Sequence, residues 1–165
     1  MNLKTERKLN KRELMKPKHH IDTYILIESM SKGNARLKVL CKRYLNLVGY
    51  KYKGSFSLSM VGEFFVKVMT EVDDDADKEL LFRSFYDLVK DKQISFYTPK
   101  ELSLPPEIVK LDARVGHTDA SIVAGAIEDN AALVTLDGKL LHNKRVEQKY
   151  NIKILSPEEI ITSPS

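Results

Sequence analysis

The sequence predicts an α/β fold of three layers, α/β/α, around a central parallel sheet of about five strands. Two patterns predict it. Short apolar runs alternate with stretches of helical spacing after the first 18 residues, and strands that alternate with helices imply right-handed crossovers and parallel pairing. Four isolated carboxylates, Asp22, Glu63, Asp119 and Asp137, each sit where an apolar run stops and a turn or helix begins. In an open parallel sheet ligands gather at the carboxyl ends of the strands, so residues far apart in sequence would converge on one edge and form a metal site.

Each element follows in order. Residues 1–18 read as a basic N-terminal extension ahead of a domain spanning 19–165: helix-forming residues abound there, apolar surface is scarce, and Pro17 stops any helix. HHID is a short first strand. His19 and His20 read as exposed strand-start residues or ligand contacts, not as a zinc pair, because matching Cys or His partners are missing. TYILIESM continues as a helix packed by Ile25, Leu26 and Met30, and Lys32-Gly33-Asn34 breaks it. Leu37, Leu40, Cys41, Tyr44, Leu45 and Val48 recur at helical spacing, which predicts a second helix from Ala35 to about Val48, ended by Gly49.

SFSLSM reads as the second strand and VGEFFVKVMTEV as a helix whose first turn carries Glu63, near the positive end of the helix dipole. The acidic run from Asp73 to Asp77 lacks the glycine and alternate spacing of a calcium loop, so it opens a helix that runs to Lys90. ISFYTP is a third strand and LPPEIVKLDAR a short helix with Asp112 as a solvated residue at its end. Gly116-His117-Thr118 caps a helix opened by Asp119, whose Ala120, Ala124, Gly125 and Ala126 keep it slim enough to pack closely on the sheet. ALVTLDG is the fourth strand with a sharp exit at Asp137-Gly138, KLLHNKRVEQKY a helix, and IKILSP a last strand.

Composition narrows the function. A chain of 165 residues fits one domain with its own core. The single Cys41 excludes a disulfide framework and a cysteine metal cluster within the chain, and no run approaches the roughly 18 apolar residues of a membrane span, so a cytoplasmic protein is expected. The net charge of +4 is unevenly spread: residues 1–20 carry +5, residues 29–54 carry +7 with no acid, and the rest carries −8. Such polarisation suits a protein that grips a polyanion with one region and holds cations with another. A solvated helix face beside an appended tail would give the same totals. Arg36, Lys38, Lys42, Arg43, Lys51 and Lys53 are the candidate contacts to a polyanion backbone, with Tyr50 and Tyr52 interleaved as either base-stacking surfaces or ordinary packing residues.

Hard divalent cations such as Mg²⁺ and Mn²⁺ take oxygen ligands, with carboxylates supplying charge while several waters stay bound. Without a cation, clustered carboxylates repel one another and raise each other's pKa. Thr23 and Thr135 could bond ligating carboxylates or metal-bound water through their hydroxyls, or serve as ordinary strand-end turn residues.

The stretch HIDTYILIE, Glu63 within SMVGEFF, the run GHTDASIVAGAIEDNAALVTLDGKLL and the closing IKILSP together resemble the PIN-domain family, and within it the VapC-like prokaryotic ribonucleases. The resemblance covers nearly the whole chain after the extension. It implies an Mg²⁺ or Mn²⁺ site at Asp22 with Thr23, Glu63, Asp119, and Thr135 with Asp137. It also implies RNA hydrolysis leaving a 3′-hydroxyl and a 5′-phosphate, a homodimer, and a small antitoxin as partner. In that family the first strand is strongly apolar and opens the chain. Here a basic extension precedes it and histidines occupy it, which also suits an RNA-processing enzyme or a noncatalytic RNA-binding module.

Overall fold

The computed structural model describes residues 16–30, 33–98 and 100–163; residues 1–15 of the basic extension and Lys32 lie outside the described residues. Five strands, β1 (Lys18–Ile21), β2 (Lys53–Ser57), β3 (Ser95–Tyr97), β4 (Ala132–Val134) and β5 (Ile154–Leu155), form one sheet in the order β3-β2-β1-β4-β5. Every pairing is parallel. The chain winds outward from β1 to β2 and β3, then returns to β4 on the other side. The strand order therefore reverses between β1 and β4, the place where such sheets open a crevice at their carboxyl ends.

Eight helices connect the strands among the described residues: α1 (Thr23–Met30), α2 (Ala35–Leu47), α3 (Leu58–Glu71), α4 (Asp75–Lys92), α5 (Leu104–Leu111), α6 (His117–Glu128), α7 (Lys144–Tyr150) and α8 (Pro157–Thr162). Side chains alternate across a strand, and here they feed two cores. Ile21, Phe56 and Val134 point to one face under α1 to α4 and α8. Leu133 and Ile154 point to the other, under α5, α6 and α7. On the first face Phe64 stacks on Phe85 at 4.9 Å between ring centroids. That contact pins the turn of α3 that carries Glu63.

Several boundaries differ from expectation, each for a local reason. The second strand ends at Ser57 and α3 begins at Leu58, so Glu63 lies in the second turn, beyond the reach of the helix dipole. The fourth strand stops at Val134, leaving Thr135 and Asp137 in the turn that follows. The next helix starts only at Lys144, because the Asn143 side chain caps it by accepting from the Val146 N–H at 3.2 Å. Helix α8 was not expected. Ser156 and Glu159 cap it reciprocally in a capping box, and Ile160 enters the first core. Replacing Ser156 with Ala removes a cap worth about 1 kcal/mol, a loss that urea denaturation should register.

His19 and His20 correct the expectation of exposed residues: they are 4% and 0% exposed. Strand β1 is central and covered on both faces, so its side chains have nowhere solvated to go. His19 stacks on Tyr52 at 4.0 Å and shares a hydrogen bond with the Tyr44 hydroxyl. His20 bonds Ser55 Oγ through Nδ1 at 3.0 Å and lies under Gly125 of α6, where a Cβ would stand 2.8 Å from the ring. The slim helix is slim because an imidazole fills the space beneath it. Asp112 is likewise buried, not solvated. It accepts from Arg114 Nη2 at 2.6 Å and from Asn143 Nδ2 at 3.0 Å, tying the end of α5 to the start of α7. The Arg114 side chain holds its carboxyl well below the usual carboxylate range.

Candidate metal centre

Asp22 follows β1 directly, and its N–H donates to the Val134 carbonyl of β4 at 2.9 Å. That bond fixes the side chain at the reversal of strand order. Its carboxylate is 3% exposed; it accepts from Thr135 Oγ1 at 2.5 Å and from the Tyr24 N–H at 3.3 Å. Thr135 also accepts from the Asp137 N–H at 2.9 Å, so one hydroxyl joins the turn after β4 to the end of β1. Asp137 in turn accepts from the Lys139 N–H at 2.7 Å.

Glu63 reaches the same edge from α3. Thr23 Oγ1 donates to its Oε2 at 3.0 Å, and Lys67 Nζ lies 3.1 Å from its Oε1. Asp119 stands in the first turn of α6. The Thr23 and Thr135 hydroxyls thus each hold one of the four acids.

Electrostatics link the four. Burial pushes the Asp22 carboxyl up to about 6 against the hydrogen bonds from Thr135 and Tyr24, and the charges of Glu63 and Asp119 push the same way. Asp119 is also raised, first by burial and then by the charge of Asp137, with Glu63 adding to it; the Gly116 N–H and Lys139 act in the opposite sense. Among the described residues, no three His, Cys, Asp or Glu side chains are gathered tightly enough as they stand to enclose an ion. The donor set is still the right one for a hard cation. Mg²⁺ keeps several waters and binds through one or two carboxylates, and an all-oxygen cluster whose members repel one another is relieved by positive charge.

The other residues singled out from sequence fall elsewhere. Arg36, Lys38, Lys42 and Arg43 lie on α2, with Arg36 pairing Glu158 of α8 at 3.4 Å. Lys53 opens β2 beside Lys18, and Lys51 precedes it over the Tyr52 ring. Both stand at the amino edge, a strand length of about 13 Å from the carboxylate edge. Tyr50 is exposed, whereas Tyr52 is committed to His19. Asp129 pairs Lys18 and accepts from Ser55, and Glu128 accepts from Tyr97 and two backbone N–H groups, so neither joins the cluster. Sequence reasoning missed Lys67 and Tyr24. The spacing of Glu63 and Lys67, four residues apart on a helix, was the available signal.

No family model and no curated protein matches the sequence. Solved structures do match. One is VapBC2 from Rickettsia felis bound to a DNA fragment from their promoter, with a TM-score of 0.63 and 17% identity over 84% of this chain and 98% of that one. FitAcB from Neisseria gonorrhoeae matches with a TM-score of 0.59 and 16% identity, over 85% of this chain and 98% of that one. This is a VapC-like PIN-domain fold. VapBC-1 from nontypeable Haemophilus influenzae matches at 19% identity and a TM-score of 0.56, over 86% of this chain and 98% of that one. The PIN-domain fold is also what the motif resemblance implied, and the three-layer arrangement around five parallel strands agrees with it. Among the described residues no helix is long and apolar enough to cross a membrane.

Proposed function

We propose that the chain is a divalent-metal-dependent endoribonuclease that hydrolyses RNA phosphodiesters, the toxin half of a toxin–antitoxin pair. One observation carries the reading: four carboxylates, after β1, on α3, on α6 and in the turn after β4, lie near enough at the reversal of strand order in a VapC-like fold for their charges to act on one another. Asp22, Glu63, Asp119 and Asp137 would hold Mg²⁺ or Mn²⁺. A bound divalent ion supplies Lewis-acid stabilisation of the charge that develops on a phosphodiester during displacement. The chain's own contribution is orientation. Thr135 aims Asp22, Thr23 aims Glu63, and the Gly116 and Lys139 N–H groups steady Asp119 and Asp137. Arg36, Lys38, Lys42 and Arg43 on α2 are the proposed contacts to the RNA backbone.

The partner reading has its own support. FitAB bound to an IR36 DNA fragment shares the fold, with a TM-score of 0.59 and 14% identity, and the VapBC and FitAB complexes among the fold neighbours support a small antitoxin as partner. In this chain a groove of about 490 Å³ runs between α1, α3 and α4, with Ile27, Met30, Phe64 and Val68 inside and Glu71 and Asp73 on its rim. Apolar walls with an acidic rim suit a basic amphipathic segment of a small antitoxin. A second copy of the chain is the other partner of this reading. Leu58, Phe65, Val66 and Met69 give α3 an exposed apolar stripe at helical spacing.

Purified protein incubated with a mixed structured RNA and Mn²⁺ is expected to cut it, leaving 5′-phosphate ends, and EDTA is expected to stop the reaction. Asp119→Asn is expected to slow cleavage at least about 100-fold, the usual loss when one preorganised electrostatic group is removed. Wild type and variant equally inert, yet both binding RNA in a salt-sensitive way, would instead favour a noncatalytic RNA-binding module.

A further inference from the structure

Among the described residues, Lys67 forms an ion pair with one of the four acids, while Lys139 acts on Asp119 through its charge. Lys67 Nζ lies 3.1 Å from Glu63 Oε1 and 3.9 Å from the centroid of the Tyr24 ring. The opposite oxygen of Glu63 accepts from Thr23 Oγ1, so each oxygen of the carboxylate has a partner before any ion arrives. Glu–Lys pairs four residues apart are common on helices and are ordinarily solvated. Helix α4 shows the ordinary kind: Arg83 and Glu79 are 70% and 72% exposed. Lys67 and Glu63 are 20% and 26% exposed, because Tyr24 from α1 covers the ammonium and the lysine stem runs along the wall of the groove beside Phe64 and Val68. A pair withdrawn from water interacts more strongly than a surface pair.

We propose that Lys67 is a tethered cation of the carboxylate cluster, competing with the divalent ion for Glu63 and so setting how tightly the metal binds. The inference rests on the metal-site reading above. A divalent ion that takes Glu63 Oε1 must displace the ammonium, since two cations cannot share that oxygen without strong repulsion. The displaced head has a place to go. It can keep its contact with the Tyr24 ring and turn toward Glu71 and Asp73, which line the same groove as Lys67. Lys67 is therefore a positioning residue: it holds Glu63 in place when the metal is absent and opposes the metal's arrival.

The test is direct Mn²⁺ binding to the full chain without RNA, read from the electron paramagnetic resonance signal of free Mn²⁺. Lys67→Met keeps the stem and removes the charge, and is expected to bind Mn²⁺ about tenfold more tightly, the equilibrium equivalent of losing one competing charge-assisted hydrogen bond. Lys67→Gln carries the same expectation with a polar head, and Lys67→Arg, which keeps the charge, is expected to stay near wild type. A merely structural role for Lys67 predicts equal or weaker binding in both neutral variants. That result, with Asp119→Asn still weakening Mn²⁺, would overturn the competition and leave the metal site standing. Folded wild type and variants that all fail to bind Mn²⁺ would overturn both.

Discussion

Asp22→Asn is expected to stabilise the metal-free protein by about 3 kcal/mol above pH 7 while eliminating cleavage, an inverse relation between stability and activity at one residue. The Asp22 carboxyl is raised from 3.8 to about 6 because it is buried beside Glu63 and Asp119. A carboxylate raised in the folded state destabilises the fold once it ionises. The unfolded chain loses its proton near 4 and the folded chain only near 6, so stability falls as pH climbs through that window. Two pKa units correspond to about 3 kcal/mol, and Asn, which cannot ionise, escapes the penalty. Its amide still offers an oxygen to the Tyr24 N–H and an NH₂ to Thr135 Oγ1. Thermal melts at pH 8 in EDTA read the gain. Mn²⁺ is then expected to reverse the order, raising the wild-type melting temperature by mass action and leaving the variant unmoved. A variant less stable than wild type in EDTA would show that the Thr135 and Tyr24 bonds outweigh the buried charge.

The same residue shows what a sequence can disclose. Asp22, Asp119 and Asp137 were legible because their positions depend on where strands and helices stop, and hydrophobic period marks those stops. The order of strands in the sheet was not legible in the same way. His19 and His20 look solvated in a poorly apolar strand, and only the placement of β1 between β2 and β4 reveals that both faces of that strand are covered. Asp112 was misjudged for a similar reason: one of its two partners, Asn143, lies 31 residues away. Lys67 stood in view four residues after Glu63, but what separates it from a solvated pair is Tyr24, a contact across two helices. Helix α8 is a different failure. Its Ser156-Pro157-Glu158-Glu159 start is a capping signature and was available from the sequence alone.

The buried histidines also set the acid limit of the fold. Burial draws His19 down to about 4, and His20 to about 4 despite the opposing charge of Asp129. The hydrogen-bond pattern fixes the neutral form of His20: Ser55 Oγ donates to Asp129 at 2.8 Å, so Nδ1 must be the donor to Ser55. That leaves Nε2 as an acceptor with no partner, facing Gly125. Both imidazoles are ordinary bases near 6.5 once unfolded, so the unfolded chain takes up protons that the folded chain refuses. Stability is therefore full above about 6.5 and is lost as pH falls toward 4. At about pH 5 the two together withdraw about 4 kcal/mol, and protonation of Asp22 over the same range offsets about 1 kcal/mol of it. Urea denaturation between about pH 7.5 and 5 is expected to show a net loss of about 3 kcal/mol. His20→Asn keeps a donor for Ser55 and cannot charge, so it should roughly halve the histidine part of that slope whatever it does to stability at neutral pH. An unchanged slope would mean that His20 is protonated in the fold, with the Ser55–Asp129 pair reorganised to receive the charge.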